Sequence, residues 1–183
     1  YYHRQGTRVS DQQEGVEPYV ALGELDKHLS ARVAALTEAF RASGVVVQTP
    51  EDISVAMWQK LLFIASWGGV GAVTRMPAGV VRSLSETREM MIQAMREVVL
   101  VAKARGIGLT EAGVEQALEY VDHLPKEATA SMQRDLMAGR PSELDAQNGA
   151  VVRLGAEVGI PAPVHQFLYY ALLPGEHRAR GLL

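Results

Sequence analysis

The chain has 183 residues, 48% of them hydrophobic and 21% charged, a balance that suits an ordinary soluble globular protein with a core of its own. A formal net charge of −3 and a pI near 6.0 leave no basic footprint for nucleic acid and no polybasic run for a membrane surface. The lack of cysteine excludes disulfides and thiolate chemistry and suits a reducing compartment, so the expected setting is cytoplasmic.

Residues 1–18 are polar, punctuated by Gly6, Gly15 and Pro18. They read as a loop or frayed strand, without the apolar core of a targeting sequence. A reading frame normally opens on Met, and the Tyr1 start leads us to expect a piece of a longer chain. Residues 19–22 (YVAL) are a candidate strand. Residues 26–43 carry Leu29, Val33, Leu36 and Phe40 at helical spacing, an amphipathic helix closed by Gly44. A short β-branched strand follows at 45–47. A strand–helix–strand unit of this size does not make a stable sheet alone. It is expected to be the tail of a larger α/β domain whose remainder precedes residue 1.

The rest of the chain is organised around residues 49–75, TPEDISVAMWQKLLFIASWGGVGAVTR. Thr49 is placed to cap a helix, Pro50 to open it, and Glu51 and Asp52 to face the positive end of its dipole. Between Asp52 and Arg75 the sole formal charge is Lys60. A helix apolar on every face is expected to be buried. The run is long enough to span a bilayer, but Gln59, Lys60, Ser66 and its glycines argue against that. A lysine in such surroundings either snorkels to a nearby surface or lines a cleft, where it binds an anion or hands over a proton. Gly68, Gly69 and Gly71 invite a kink or a tight helix contact. GGVG follows a helix rather than a strand, so it lacks the context of a phosphate loop.

Helical signal continues to the end of the chain. Residues 77–81 begin a turn or short helix. Residues 85–104 form a long helix with Met91, Ala94, Met95, Val98, Leu100 and Val101 inward. Thr110 caps a helix to about His123, and a helix over 127–137 carries Ser131, Gln133, Arg134 and Asp135 on its polar face. Ser142 caps a helix over 143–158 ended by Gly159. A rigid IPAPV bend then precedes a helix over 165–173 and an exposed tail. The five histidines are scattered without metal-site spacing and read as surface or capping residues. No GxSxG elbow occurs, and Glu143 and Asp145 do not share a helix face. Taken singly, Ser131 and Asn148 read as helix-surface groups and Glu143 as a first-turn glutamate. From the residues alone, the chain is a helical domain with one unusual lysine.

Four ordered motifs carry a resemblance. Trp58-x-Lys60-Leu61 lies on the central helix, Ser131-Met132-x-x-Asp135 follows later, then Ser142-Glu143-Leu144-Asp145-x-x-Asn148-Gly149, and last Gly159-Ile160-x-x-Pro163. Over residues 50–175 the chain resembles the ketopantoate reductase (2-dehydropantoate 2-reductase) family, and 19–47 fit the end of that family's nucleotide domain. The resemblance implies a mostly α fold. Residues 49–183 would be a C-terminal helical domain of the 6-phosphogluconate dehydrogenase C-terminal-like type, holding substrate and catalysis. Residues 1–48 would be the last strand–helix–strand part of a Rossmann NADP-binding domain.

The resemblance also implies NADPH-dependent reduction of a small 2-oxo acid, with a homodimer compatible and no metal, nucleic acid or membrane partner. Lys60 falls on the catalytic lysine that polarises the carbonyl and donates a proton, Ser131 on a substrate-binding serine, and Glu143 on a glutamate that contacts the cofactor. An ammonium in an apolar cleft stabilises developing negative charge far better than in water. The chain departs from the family at Ile64, Gly68 and Ala78, where asparagines often hold the substrate's hydroxyl and carboxylate. That opens an alternative, reduction of a bulkier or more apolar 2-oxo acid. A non-catalytic helical dimerisation module is the rival from another class. The glycine-rich phosphate fingerprint of a Rossmann domain does not occur in the sequence, so these 183 residues alone are expected to be inactive.

Overall fold

The computed structural model describes residues 19–183, and the loop-or-strand reading of residues 1–18 lies outside them. The chain divides into two compact units, Tyr1–Ile53 and Ser54–Leu183.

In the first unit β1 (Tyr19–Ala21) and β2 (Val46–Gln48) pair in parallel, Tyr19 opposite Val46 and Ala21 opposite Gln48. Parallel neighbours need a crossover, and α1 (Ala31–Ala42) supplies it. The helix begins at Ala31 rather than Asp26 because Ser30 is the capping residue. Its Oγ accepts the Val33 N–H at 3.1 Å and donates to Glu24 Oε1 at 2.6 Å. Asp26 instead accepts the His28 N–H in the preceding turn. At the other end the Val45 N–H reaches Phe40 O at 3.1 Å and the Gly44 N–H reaches Arg41 O at 2.9 Å. This paired closure needs a left-handed residue, and Gly44 provides it at φ +78°. The apolar stripe of this helix, and Leu29 just before it, are largely uncovered. Val33 and Thr37 are buried, whereas Leu29, Leu36 and Phe40 are 68%, 44% and 36% exposed.

The second unit is helical throughout. Its first helix, α2 (Ile53–Thr74), runs unbroken through its glycines. It starts later than Thr49 and Pro50 suggest, because the chain uses 49–52 to leave β2. Asp52, just before the first turn, pairs with Lys27 Nζ at 2.9 Å. Then come α3 (Ala78–Ser83), α4 (Ser85–Ala104), α5 (Glu111–His123) and α6 (Ser131–Met137). A π-helical turn (Asp145–Gly149) leads into α7 (Ala150–Glu157), and α8 (Pro163–Ala179) follows. Leu62 and Val70 of α2, Met91, Met95 and Val98 of α4, Val114 and Val121 of α5, Val151 and Leu168 form one core. Leu100, expected inward, is 53% exposed, because it stands off the stripe set by Met91, Met95, Val98 and Val101.

Backbone pairing explains where the shorter helices begin and end. Residues 126–130 do not join α6 as the 127–137 pattern suggests. Lys126 O and Ala128 O accept the first N–H groups of α3, from Gly79 at 2.8 Å and Ala78 at 2.9 Å. Arg82 donates to Val121 O and Leu124 O at 2.8 and 2.7 Å, satisfying the carbonyl end of α5. The final helix runs past Pro174, so the tail expected to be exposed is largely helical. Glu176 within it is 2% exposed. It accepts the Ser142 N–H at 3.0 Å, the Ser142 hydroxyl at 2.6 Å and Arg180 Nε at 2.6 Å, anchoring the segment that follows α6.

The start of α8 is capped from another helix. Glu97 of α4 accepts the Val164 N–H at 2.7 Å and the His165 N–H at 3.0 Å, meeting the N-terminal donors and the helix dipole with one carboxylate. Burial pushes its carboxyl above the ordinary range, and the two N–H groups pull the other way. Replacing Glu97 with Ala leaves those donors without a protein partner. A loss of about 2–3 kcal/mol is expected, read as a lower urea midpoint at unchanged slope.

Candidate functional site

The α2 helix carries Lys60, Ile64 and Gly68 on one stripe, at i, i+4 and i+8, with Gly71 beside them. Its C-terminal end is covered. A Cβ at residue 68 would lie 3.3 Å from Met132 Cε and 3.4 Å from Ala130 Cβ, and one at 71 would lie 2.6 Å from Gln133 Oε1. The start of α6 therefore sits directly on backbone that only glycine leaves bare. From the π-helical turn, Gln147 Oε1 comes within 3.8 Å of the same position at 68. The N-terminal end of the stripe is open, with Met57 60% exposed, Lys60 exposed and Ile64 half-buried.

The all-round apolar pattern predicts burial along the whole helix. The structure buries residues 65–72 and leaves the first turns partly uncovered, so Lys60 is exposed. No hydrogen bond or ion pair holds it among the described residues. Among those residues α2 is the one helix long and apolar enough to cross a membrane, yet its residues 65–72 are packed within the protein. Ser131 is the exposed first residue of α6, adjacent to Ala130. Glu143 is half-buried, and its Oε2 is buried without a partner among the described residues. Its carbonyl accepts the Gln147 N–H at 2.9 Å.

The segments bearing Ser131 and Glu143 thus converge near Gly68. Lys60 stands eight residues earlier, about 12 Å along the axis at 1.5 Å per residue. No hydrogen bond joins the three. Chemically the stripe offers a free ammonium among apolar side chains, able to hold an anion or give a proton, and an unpaired carboxylate oxygen able to accept one. No group of three or more His, Asp or Glu is placed to hold a metal among the described residues.

Behind this face lies a buried polar chain that the sequence reading placed on the surface. Asn148, fully buried, donates from Nδ2 to Ala65 O at 3.1 Å and to His165 Nδ1 at 3.1 Å. Nδ1 accepts, so the imidazole proton resides on Nε2, which donates to Ala94 O at 3.0 Å. Burial of His165 lowers its pKa to about 4. Gln133, expected on a polar face, is 1% exposed. It accepts the Ala130 N–H and donates to Met76 O at 3.0 Å. Periodicity could have placed some of these residues. Leu144, Asn148, Val151 and Gly155 recur at i, i+4, i+7 and i+11 and are all buried, as are Ala94, Glu97 and Val101.

Residues 52–176 match the family model described as "Ketopantoate reductase PanE/ApbA C terminal". A 2-dehydropantoate 2-reductase of Pyrobaculum aerophilum is 31% identical over 148 residues, covering 81% of this chain and 52% of the relative. The solved 2-dehydropantoate 2-reductase of Methylococcus capsulatus superposes with a TM-score of 0.79 at 26% identity, over 90% of this chain and 53% of its own. That of Geobacter metallireducens GS-15 gives 0.77 at 29%, over 84% and 52%. The chain spans about half the length of these relatives.

The buried imidazole sets a pH test. Above the ordinary value of 6.5, His165 is neutral in both states; between 6.5 and about 4 the unfolded chain takes up a proton that the folded one refuses. Stability is therefore retained at neutral pH and falls with acid, by about 3 kcal/mol from this group at pH 4. Glu97 acts in the opposite sense, because its raised value favours the fold at low pH and withdraws that contribution as pH rises. Urea titrations at pH 7 and pH 4 should show wild type losing about 2–3 kcal/mol more than His165→Gln. Parallel pH dependence in the two proteins would contradict the assignment.

Proposed function

This chain belongs to the ketopantoate reductase family, and on that premise we propose that it is the substrate-binding and catalytic part of an NADPH-dependent reductase that converts 2-dehydropantoate to pantoate. Residues 49–183 are the helical domain on this reading, and 1–48 the tail of the Rossmann NADP-binding domain. The parallel β1–α1–β2 unit, with Leu29, Leu36 and Phe40 uncovered, supports the second assignment. The same reading extends to a small-molecule substrate, a cytoplasmic setting and a homodimer.

The observation that carries the proposal is the exposed Lys60 on the open end of a stripe whose other end is closed by the segments of Ser131 and Glu143. Lys60 holds the carbonyl oxygen of the 2-oxo acid and gives its proton as negative charge develops there. Ser131, exposed at the start of α6, donates a hydroxyl to the substrate. The buried, unpartnered Oε2 of Glu143 fits a hydroxyl or amide donor of the dinucleotide. When bound, the dinucleotide supplies the hydride.

One set of observations favours a second reading, a more apolar 2-oxo acid as substrate. Ile64 puts a branched alkyl group one turn from Lys60, the space beside Gly68 is taken by Met132 and Ala130, and Ala78 is fully buried. None of the three supplies a polar group to the open stripe. A site without partners for a substrate's polar groups discriminates against it.

The test is NADPH oxidation by the intact polypeptide that contains this sequence, with 2-dehydropantoate and a panel of other 2-oxo acids. Turnover of 2-dehydropantoate is expected, with Lys60→Ala lowering kcat by at least about 100-fold in a folded protein. The 183 residues alone are expected to show none. Turnover of another oxo acid only would select the second reading, and no turnover of any would overturn both.

A further inference from the structure

Two glutamines face the glycine turns of α2, and they differ in one respect. Gln133, against Gly71, has both ends of its carboxamide paired, with the Ala130 N–H and Met76 O. Gln147, against Gly68, is 8% exposed, and its side chain forms no hydrogen bond among the described residues. Its Oε1 is buried without a partner. A buried amide oxygen without a hydrogen-bond donor is costly. An apolar residue of the same length would pack there at no such cost, so the group calls for a ligand.

Its position says which ligand. Gln147 lies on the π-helical turn, a backbone irregularity common at functional sites, four residues after Glu143, whose Oε2 is also buried and unpaired. Its Oε1 stands 3.8 Å from where a Cβ at residue 68 would be. The carboxamide oxygen therefore borders the position at 68, alongside Met132 and Ala130, on the stripe that begins at Lys60.

We infer that Gln147 is a specificity-determining binding residue of this site, which takes the hydroxyl group of a hydroxylated 2-oxo acid whose carbonyl lies toward Lys60. The inference rests on the reductase reading above and favours the hydroxyl-bearing substrate over the apolar one. In 2-dehydropantoate the hydroxyl sits two carbons from the carbonyl, on the side away from the carboxylate, so with the carbonyl toward Lys60 the hydroxyl is directed along α2 toward Gln147. The carboxamide accepts from the hydroxyl through Oε1 or donates to it through Nε2. Met132 Cε, the nearest atom to the position at 68, is the end of a flexible side chain and yields space for the ligand.

The experiment compares 2-dehydropantoate with 3,3-dimethyl-2-oxobutanoate, which differs only by lacking the hydroxyl. The intact polypeptide is assayed as wild type, Gln147→Leu and Gln147→Met, each followed by thermal unfolding. Wild type should prefer the hydroxylated acid, and both variants should lower the ratio of the two kcat/KM values by about 10- to 100-fold, chiefly through KM. Their melting temperatures should hold or rise, because an unpaired buried amide has been removed. An unchanged ratio with higher stability would make Gln147 a structural residue and overturn the inference while the reductase reading stands. Turnover of neither acid by wild type would overturn both.

Discussion

Gly68, Gly69 and Gly71 leave α2 without side chains over the turn where three other segments meet it. A Cβ at 69 would press within 2.7 Å of Asn148 Nδ2 and 2.9 Å of Leu168, and one at 71 within 2.6 Å of Gln133. Contacts that short are repulsive, so a larger residue displaces the side chains of Asn148, Leu168 or Gln133 from their present positions. Because those segments sit so low on α2, Asn148 reaches the Ala65 carbonyl and the start of α6 reaches Gly68. The stripe is thereby closed at one end and left open at the other, around Lys60. The site depends on this close approach.

Two buried carboxylates fix the partners of α2 in place. Glu97 holds the first N–H groups of α8, and Glu176 near its far end holds Ser142, just ahead of Glu143. Each is a long-range tie that places the π-helical turn and α8 relative to α4 and α2. Asn148 and His165 extend the same network between α2, the turn and α4, with His165 neutral and donating from Nε2. The α2 stripe is polar at few points, and Glu97, Asn148, His165 and Glu176 behind it are hydrogen-bonded to neighbouring segments. That combination keeps an apolar cleft rigid without placing competing charges inside it.

Helix positions were legible wherever local rules decide them. The existence of the long apolar helix, the 85–104 helix to its ends, the glycine closure at Gly44 and the strand–helix–strand order follow from composition, periodicity and caps, whereas the starts of α1 and α2 do not. What was not legible depends on partners distant in sequence. The late start of α6 reflects carbonyls lent to α3. The continuation of α8 past Pro174 reflects Glu176 bonding to Ser142, and the burial of Glu97 reflects a helix that begins 66 residues later. Lys60 stood out locally as the sole charge of an apolar run, but its role, and Ser131 and Glu143 altogether, came from motif resemblance. Gln147 was missed, because an amide in a helical segment reads as surface until the facing glycine is seen.

The central claim is that Lys60 meets the carbonyl oxygen of a 2-oxo acid on the open end of the α2 stripe. A crystal structure of the intact polypeptide with oxidised dinucleotide and the 2-oxo acid tests it most directly. The account predicts Lys60 Nζ within hydrogen-bonding distance, about 2.7–3.2 Å, of the 2-oxo oxygen, with the rest of the ligand running toward Gly68. An oxo acid bound elsewhere, with Lys60 still turned to solvent, would contradict it.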